Sequence, residues 1–193
     1  MKICYNLAMK ILIIDNNSRH KNQLIELARD QGCNSVTLMG FGEINLAKIS
    51  EFDLIILSGG HGDPIINHDD EYAFEIELIK LAKKPILGIC LGCELIAHTF
   101  KSTLELLKER ETSELDLELL EETPFTQIFS KIKVHEGHRW YIKTLGSTLK
   151  ALAKSKDGIE IIQHKIKPIY GVQFHPELDP SAGRNLIHYL LSL

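Results

Sequence analysis

Apolar residues along this chain gather in short unbroken runs, each followed by a polar turn and then a segment of helical period. Ile11-Leu12-Ile13-Ile14 is the first run, and Asp15-Asn16-Asn17-Ser18 behind it reads as the cap of a helix with Leu24, Ile25, Leu27 and Ala28 on its inward face, ending at Gly32. A second strand over residues 35–39, a short helix over 44–49 and a third strand over 53–57 follow, the last leading into Gly59-Gly60. Residues 71–82 have a helical pattern and 85–89 form a fourth strand. Strands that are apolar at every position must be buried on both faces, so this half predicts a parallel sheet covered by helices on both sides. Its functional loops belong at the carboxyl ends of the strands.

The character changes after Phe100. Residues 104–107 and 115–120 are strand-like but heavily charged, which predicts antiparallel pieces added at one edge. Glu105, Glu109, Glu111, Glu114, Asp116, Glu118, Glu121 and Glu122 make this the acidic part of the chain, read first as a solvated face and second as a docking surface. Lys156-Asp157-Gly158 is a turn between strands over 149–154 and 159–164, and Asp179-Pro180-Ser181 caps a final helix through Leu191.

Length and composition narrow the classes. At 193 residues with 44% hydrophobic content, the chain is expected to form a single domain over 1–193, with no room for a second catalytic domain. A net charge of −4 with no strongly basic run argues against nucleic acid as a partner. No apolar stretch reaches the length of a membrane span, and Met1 to Ala8 is too short and too polar for a secretory signal. Residues 1–9 read as an extension, and because Met9-Lys10-Ile11 repeats Met1-Lys2-Ile3, Met9 is a second candidate start. Four cysteines make no disulfide framework here, so a reducing cytoplasm is the expected setting.

Candidate chemistry concentrates in two segments. Gly88-Ile89-Cys90-Leu91-Gly92 directly follows the fourth apolar strand and reads as a nucleophile elbow with cysteine in place of serine. The glycines free the turn, and the unpaired N–H groups of a helix start are expected to favour the Cys90 thiolate. Tyr170-Gly171-Val172-Gln173-Phe174-His175-Pro176-Glu177 ends an alternating strand in a histidine and a carboxylate two residues apart, on one side of an extended segment. That spacing suits a base, His175, and the group that orients it, Glu177. No metal is expected, since His135 and His138 are three apart on a strand and face opposite sides, leaving no set with His61.

With Leu57-Ser58-Gly59-Gly60-His61-Gly62-Asp63-Pro64 upstream, these segments resemble the class I glutamine amidotransferases over nearly the whole chain from Lys10 onward. The stretch from Pro168 to Glu177 looks especially like the glutaminase part of GMP synthetases. The resemblance implies a flavodoxin-like core and a Cys90-His175-Glu177 triad hydrolysing the side-chain amide of glutamine, without a cofactor, through a cysteinyl thioester. It further implies oxyanion donors at the backbone of Gly60 and Leu91, and substrate contacts at Gly59, Glu94, Gly137 and His138. The ammonia acceptor would then be a synthetase on another chain.

The sequence departs from the family in four places. Cys93 and Glu94 follow Gly92 where histidine and glutamine are usual; His61 replaces a proline; and Phe100-Lys101-Ser102-Thr103 stands where a glycine pair is common. An ionised Glu94 only accepts hydrogen bonds and adds negative charge, so a different γ-glutamyl amide is an alternative substrate. A non-catalytic regulatory relative is a third reading, and Cys90-Leu91-Gly92-Cys93 offers a redox pair or regulatory disulfide as a fourth.

Overall fold

The structure, a computed structural model, describes residues 9–31, 35–43, 46–60, 65–130 and 133–193. Strands β1 (Lys10–Asn16), β2 (Ser35–Gly40), β3 (Leu54–Gly60) and β4 (Ile86–Ile89) alternate with helices α1 (Lys21–Arg29) and α2 (Ala73–Leu81), and α3 (Leu91–Thr99) leaves β4 at once. The second half contains β5 (Thr103–Leu106), β6 (Glu114–Leu115), β7 (Glu118–Leu119), α4 (Pro124–Gln127), β8 (Val134–His135), β9 (Trp140–Thr144), β10 (Leu149–Lys154), β11 (Ile159–His164), β12 (Ile169–Val172) and α5 (Pro180–Leu191).

The main sheet runs β2-β1-β3-β4-β12-β11-β10-β7. Its first five strands are mutually parallel, with Ile55 beside Ile86 and Ile86 beside Ile169, which is the flavodoxin-like order with a late strand in fifth place. From β12 onward the pairing is antiparallel, and β5 and β9 branch from β11. Alternate residues of one strand feed opposite cores. Ile11, Ile13, Leu54 and Ile56 pack towards α1 and α5, whereas Leu12, Ile14, Ile55 and Leu57 pack towards α2 and α3.

Several boundaries differ from the sequence expectation for identifiable reasons. Helix α1 begins after His20, which makes no side-chain cap. Asp15 and Ser18 instead accept from the backbone N–H groups of Ser18 and His20, spending their oxygens on the turn before the helix. Gly32 and the start of the 44–49 segment lie outside the described residues, and Leu46–Glu51 is a 3₁₀ turn. The charged stretch 115–120 is two two-residue strands in different sheets, β6 with β8 and β7 with β10. Asp179 does cap α5, accepting from Ser181 and Ala182. The acidic segment is largely paired in space, Glu105 with Lys143, Glu111 with Lys156, Glu118 with Lys154 and Glu121 with Lys150.

Lys101 adopts φ 65°, the left-handed backbone for which the family's glycine is suited. The turn after α3 is therefore kept despite the substitution, at a strain of about 1 kcal/mol.

A buried polar latch lies beneath the Gly59-Gly60 end of β3. Asn16 donates from Nδ2 to Ser58 O and to Glu75 Oε1, both at 3.1 Å, and its backbone N–H meets Ser58 Oγ. Glu75 is fully buried, and burial raises its pKa from 4.5 to about 7. A carboxyl whose folded value lies above its unfolded one contributes full stability below about 4.5 and loses it as pH rises through 7. Glu75→Gln keeps an acceptor for Asn16 and removes the titration. It is expected to be more stable than the parent at pH 8 by up to about 3 kcal/mol and little different at pH 4.5. Denaturant melts at the two pH values measure this, and equal differences at both would refute it.

Candidate active site

The elbow is built by backbone crowding. Strand β4 and helix α3 cross so closely that a Cβ on Gly88 would lie 2.4 Å from Gly92 O, and one on Gly92 would lie 2.3 Å from Leu57 O. Between them Cys90 is forced to φ 50°, ψ −106°, a strained conformation for a residue with a side chain. Its backbone is pinned on both sides, donating to Val172 O at 2.8 Å and accepting from Glu94 N at 3.0 Å.

Two neighbouring strand ends converge on the thiol. Gly59, from β3, is flanked by both partners: a Cβ there would sit 2.9 Å from His175 Cε1 and 3.5 Å from Cys90 Cβ. A side chain at 59 would occupy the space shared by sulfur and imidazole. Gly60 lies against Leu91, whose Cδ2 would be 2.6 Å from an added Cβ, so the end of β3 and the start of α3 meet there. The Leu91 N–H donates to the Cys90 sulfur.

His175 Nδ1 lies 2.8 Å from Glu177 Oε1, with both side chains buried. The local reason differs from the expectation of an extended segment. Residues Pro176–Leu178 form a 3₁₀ turn, which swings Glu177 back beneath the ring. The His175 backbone donates to His135 O at 2.9 Å, and a Cβ on Gly137 would come within 3.0 Å of His175 Nε2. Gly137 therefore borders the edge of the imidazole that carries Nε2.

The electrostatics correct one expectation. Burial, together with the carboxylates of Glu94, Glu177 and Glu136, pushes the Cys90 thiol well above its ordinary value, and the Leu91 N–H opposes this only in part. The resting nucleophile is the neutral thiol. A proton acceptor next to it is thus a requirement, and the ring of His175 is the group in place.

Glu94 is buried and accepts from Gln173 Nε2 at 2.9 Å. Burial lifts its pKa to about 7, against the opposing Gln173 hydrogen bond and the charge of His138. It is therefore not the permanently ionised group expected from sequence; below pH 7 its protonated carboxyl can both donate and accept, as an amide does. Ionisation would place a negative charge beside the thiol. Glutamine KM is expected to rise by about tenfold between pH 6 and pH 8, and Glu94→Gln is expected to flatten that rise. A KM profile of the variant that still follows the parent's would rule Glu94 out as the titrating group.

His138 is buried, its Nδ1 2.8 Å from Trp140 O and its Nε2 3.1 Å from Glu136 Oε2. Cys93 is fully buried on the sheet side of α3, its sulfur 2.7 Å from where a Gly171 Cβ would lie. His61 to Pro64 lie outside the described residues. One neighbour escaped sequence reasoning: His20 packs edge-on against His175, ring centroids 5.1 Å apart, and its pKa is lowered by burial and by His175. Its position just past the carboxyl end of β1, on the same rim as Gly59 and Cys90, is the signal that would have found it.

The model of the class-I glutamine amidotransferase domain matches residues 12–190. The chain belongs to the class-I glutamine amidotransferase family. It is 33% identical over 170 residues to the A component of the two-part, glutamine-hydrolysing GMP synthase of Thermococcus kodakarensis, covering 87% of this chain and 89% of that one. The corresponding component from Pyrococcus abyssi is 34% identical over the same shares. A glutamine-hydrolysing GMP synthase of Spiroplasma kunkelii is 31% identical over 88% of this chain, but only 33% of its own length is covered. Among solved structures, the same component of a GMP synthase from Thermoplasma acidophilum superposes with a TM-score of 0.84 at 25% identity, covering 97% of this chain and 94% of the other. A glutamine amidotransferase from Thermotoga maritima shares the fold, with a TM-score of 0.80 at 18% identity over 97% and 100% of the two chains. The amidotransferase is thus an enzyme of the glutaminase type, and among its described residues no helix is long and apolar enough to cross a membrane.

Proposed function

We propose that this amidotransferase hydrolyses the side-chain amide of glutamine at Cys90 and passes the ammonia to a synthetase on a separate chain, the acceptor reaction being the one that forms GMP. Cys90 gives its proton to His175 and attacks the amide carbon; the oxyanion is held by the backbone N–H groups of Gly60 and Leu91. His175 then protonates departing ammonia and activates the water that cleaves the thioester, with Glu177 fixing the ring. The observation that carries this reading is Gly59, whose missing side chain leaves sulfur and imidazole facing one another across a single residue. Likeness to separate glutamine-hydrolysing components, covered over 89% of their length, supports a partner on another chain. Buried free thiols at Cys90 and Cys93 suit a reducing, cytoplasmic setting.

The test is ammonia release from glutamine by the purified chain, alone and with the synthetase component of a GMP synthase plus its nucleotide substrates. Stimulation by the synthetase, with glutamine-dependent GMP formation, is expected. A second reading, partner-independent hydrolysis of another γ-glutamyl amide, is favoured by Glu94 at the position where the family usually has glutamine. Release from such an amide at a rate the synthetase leaves unchanged would replace the first reading with the second.

A further inference from the structure

Near the thiol lies a second polar cluster that the glutaminase chemistry does not use. Glu136 follows β8, His138 precedes β9 and Glu160 is the second residue of β11; their side chains are almost wholly buried. One ligating atom from each lies within 4.8 Å of the others, the one such group among the described residues. Four atoms of the cluster are buried with no hydrogen-bond partner: both Glu136 oxygens, His138 Nε2 and Glu160 Oε2.

Those open valences are not scattered. The remaining atoms of the same side chains are held from outside in a way that leaves the unpaired ones facing inward. His138 Nδ1 donates to Trp140 O at 2.8 Å, which fixes the tautomer and leaves the Nε2 lone pair free. Glu160 Oε1 accepts from Ser155 Oγ at 2.6 Å, turning Oε2 to the cluster. The backbone beneath is anchored, since Glu136 N–H donates to Ser113 O, Arg110 donates to Gly137 O, and His138 O accepts from Glu111 N–H. An ion pair alone does not account for the arrangement. His138 Nε2 and Glu136 Oε2 are 3.1 Å apart but too poorly aligned to hydrogen-bond, and a dry carboxylate with two orphaned oxygens is costly.

We propose that Glu136, His138 and Glu160 form a binding site for one divalent transition cation of the zinc class. Two carboxylates neutralise a dication, and one imidazole with two carboxylates is a donor set that zinc accepts while keeping a fourth position open. Ligands about 2.0–2.1 Å from a tetrahedral ion lie roughly 3.4 Å from one another, close to the existing Glu136 to His138 separation. A small inward swing of the Glu160 carboxylate closes the site. Sequence spacing could not show it, because the histidine pair it offers, His135 with His138, indeed diverges: His135 instead meets Glu114 at 3.4 Å.

The full chain, stripped with a chelator and titrated with Zn²⁺ and separately with Mg²⁺, tests this. One tightly held equivalent of Zn²⁺ surviving gel filtration is expected, with Mg²⁺ failing to compete. Co²⁺ in the same site should show visible d–d bands and no thiolate charge-transfer band, which separates this site from Cys90 and the other cysteines. His138→Ala and Glu160→Gln should each weaken Zn²⁺ binding by about 100-fold or more, and Ser155→Ala, which spares the ligands and the fold, by about tenfold. Absence of stoichiometric Zn²⁺, a thiolate band with Co²⁺, or unchanged affinity in Ser155→Ala and Glu160→Gln would each overturn the proposal.

Discussion

Replacing Cys90 with alanine is expected to lower glutamine hydrolysis by at least about 10⁴-fold while leaving the fold in place. The side chain is small and buried at a site whose backbone is fixed by Val172 and Glu94, so removing the sulfur takes away the nucleophile without releasing the elbow. Residual turnover should be insensitive to thiol alkylation. Because burial and three carboxylates keep the resting thiol protonated, the parent enzyme should alkylate slowly with a neutral haloacetamide at pH 7 and faster as pH rises. Ammonia release, thermal melts and alkylation rates provide the readouts. A variant within about tenfold of parental turnover would show that another group attacks.

Gly88→Ala is expected to have the largest effect on stability. The added methyl would meet Gly92 O at 2.4 Å and Gly92 C at 2.5 Å, both backbone atoms with no rotamer to escape into. Either β4 parts from α3 or the substitution unfolds the region, at a cost above about 3 kcal/mol. Gly42→Ala is the internal control, as nothing lies within 4 Å of its added methyl, and it should stay within about 0.5 kcal/mol of the parent. Equal melting of the two variants would mean that the crossing of β4 and α3 is looser than described.

What could be read from sequence was what backbone period and local chemistry dictate. Runs such as Ile11 to Ile14 are apolar on both faces, and only a doubly covered parallel sheet satisfies them. Cys90 between glycines after a strand, and His175 two residues from Glu177, are likewise local signals. The second half was less legible because β6, β7 and β8 are two residues each, too short for any period to show, and α4 is one turn started by Thr123 and Pro124. Long-range burial was invisible too. Nothing in Cys-Leu-Gly-Cys-Glu announces that Glu94 will meet Gln173, or that three carboxylates will oppose the thiolate that a helix start alone would favour. His20 was missed for the same reason, since its role depends on β1 ending beside β3.

The pairing of β4 with β12 brings together strands from opposite halves of the chain, with Val172 O holding the Cys90 N–H. During synthesis the elbow emerges long before the strand that locks it and the histidine that would draw off its proton. A ribosome-bound chain therefore carries an unarmed cysteine, and no ammonia can escape from a half-made enzyme. Reactivity arrives together with completion of the sheet, so a lesion that slows docking of β12 should delay activity and native structure by the same lag.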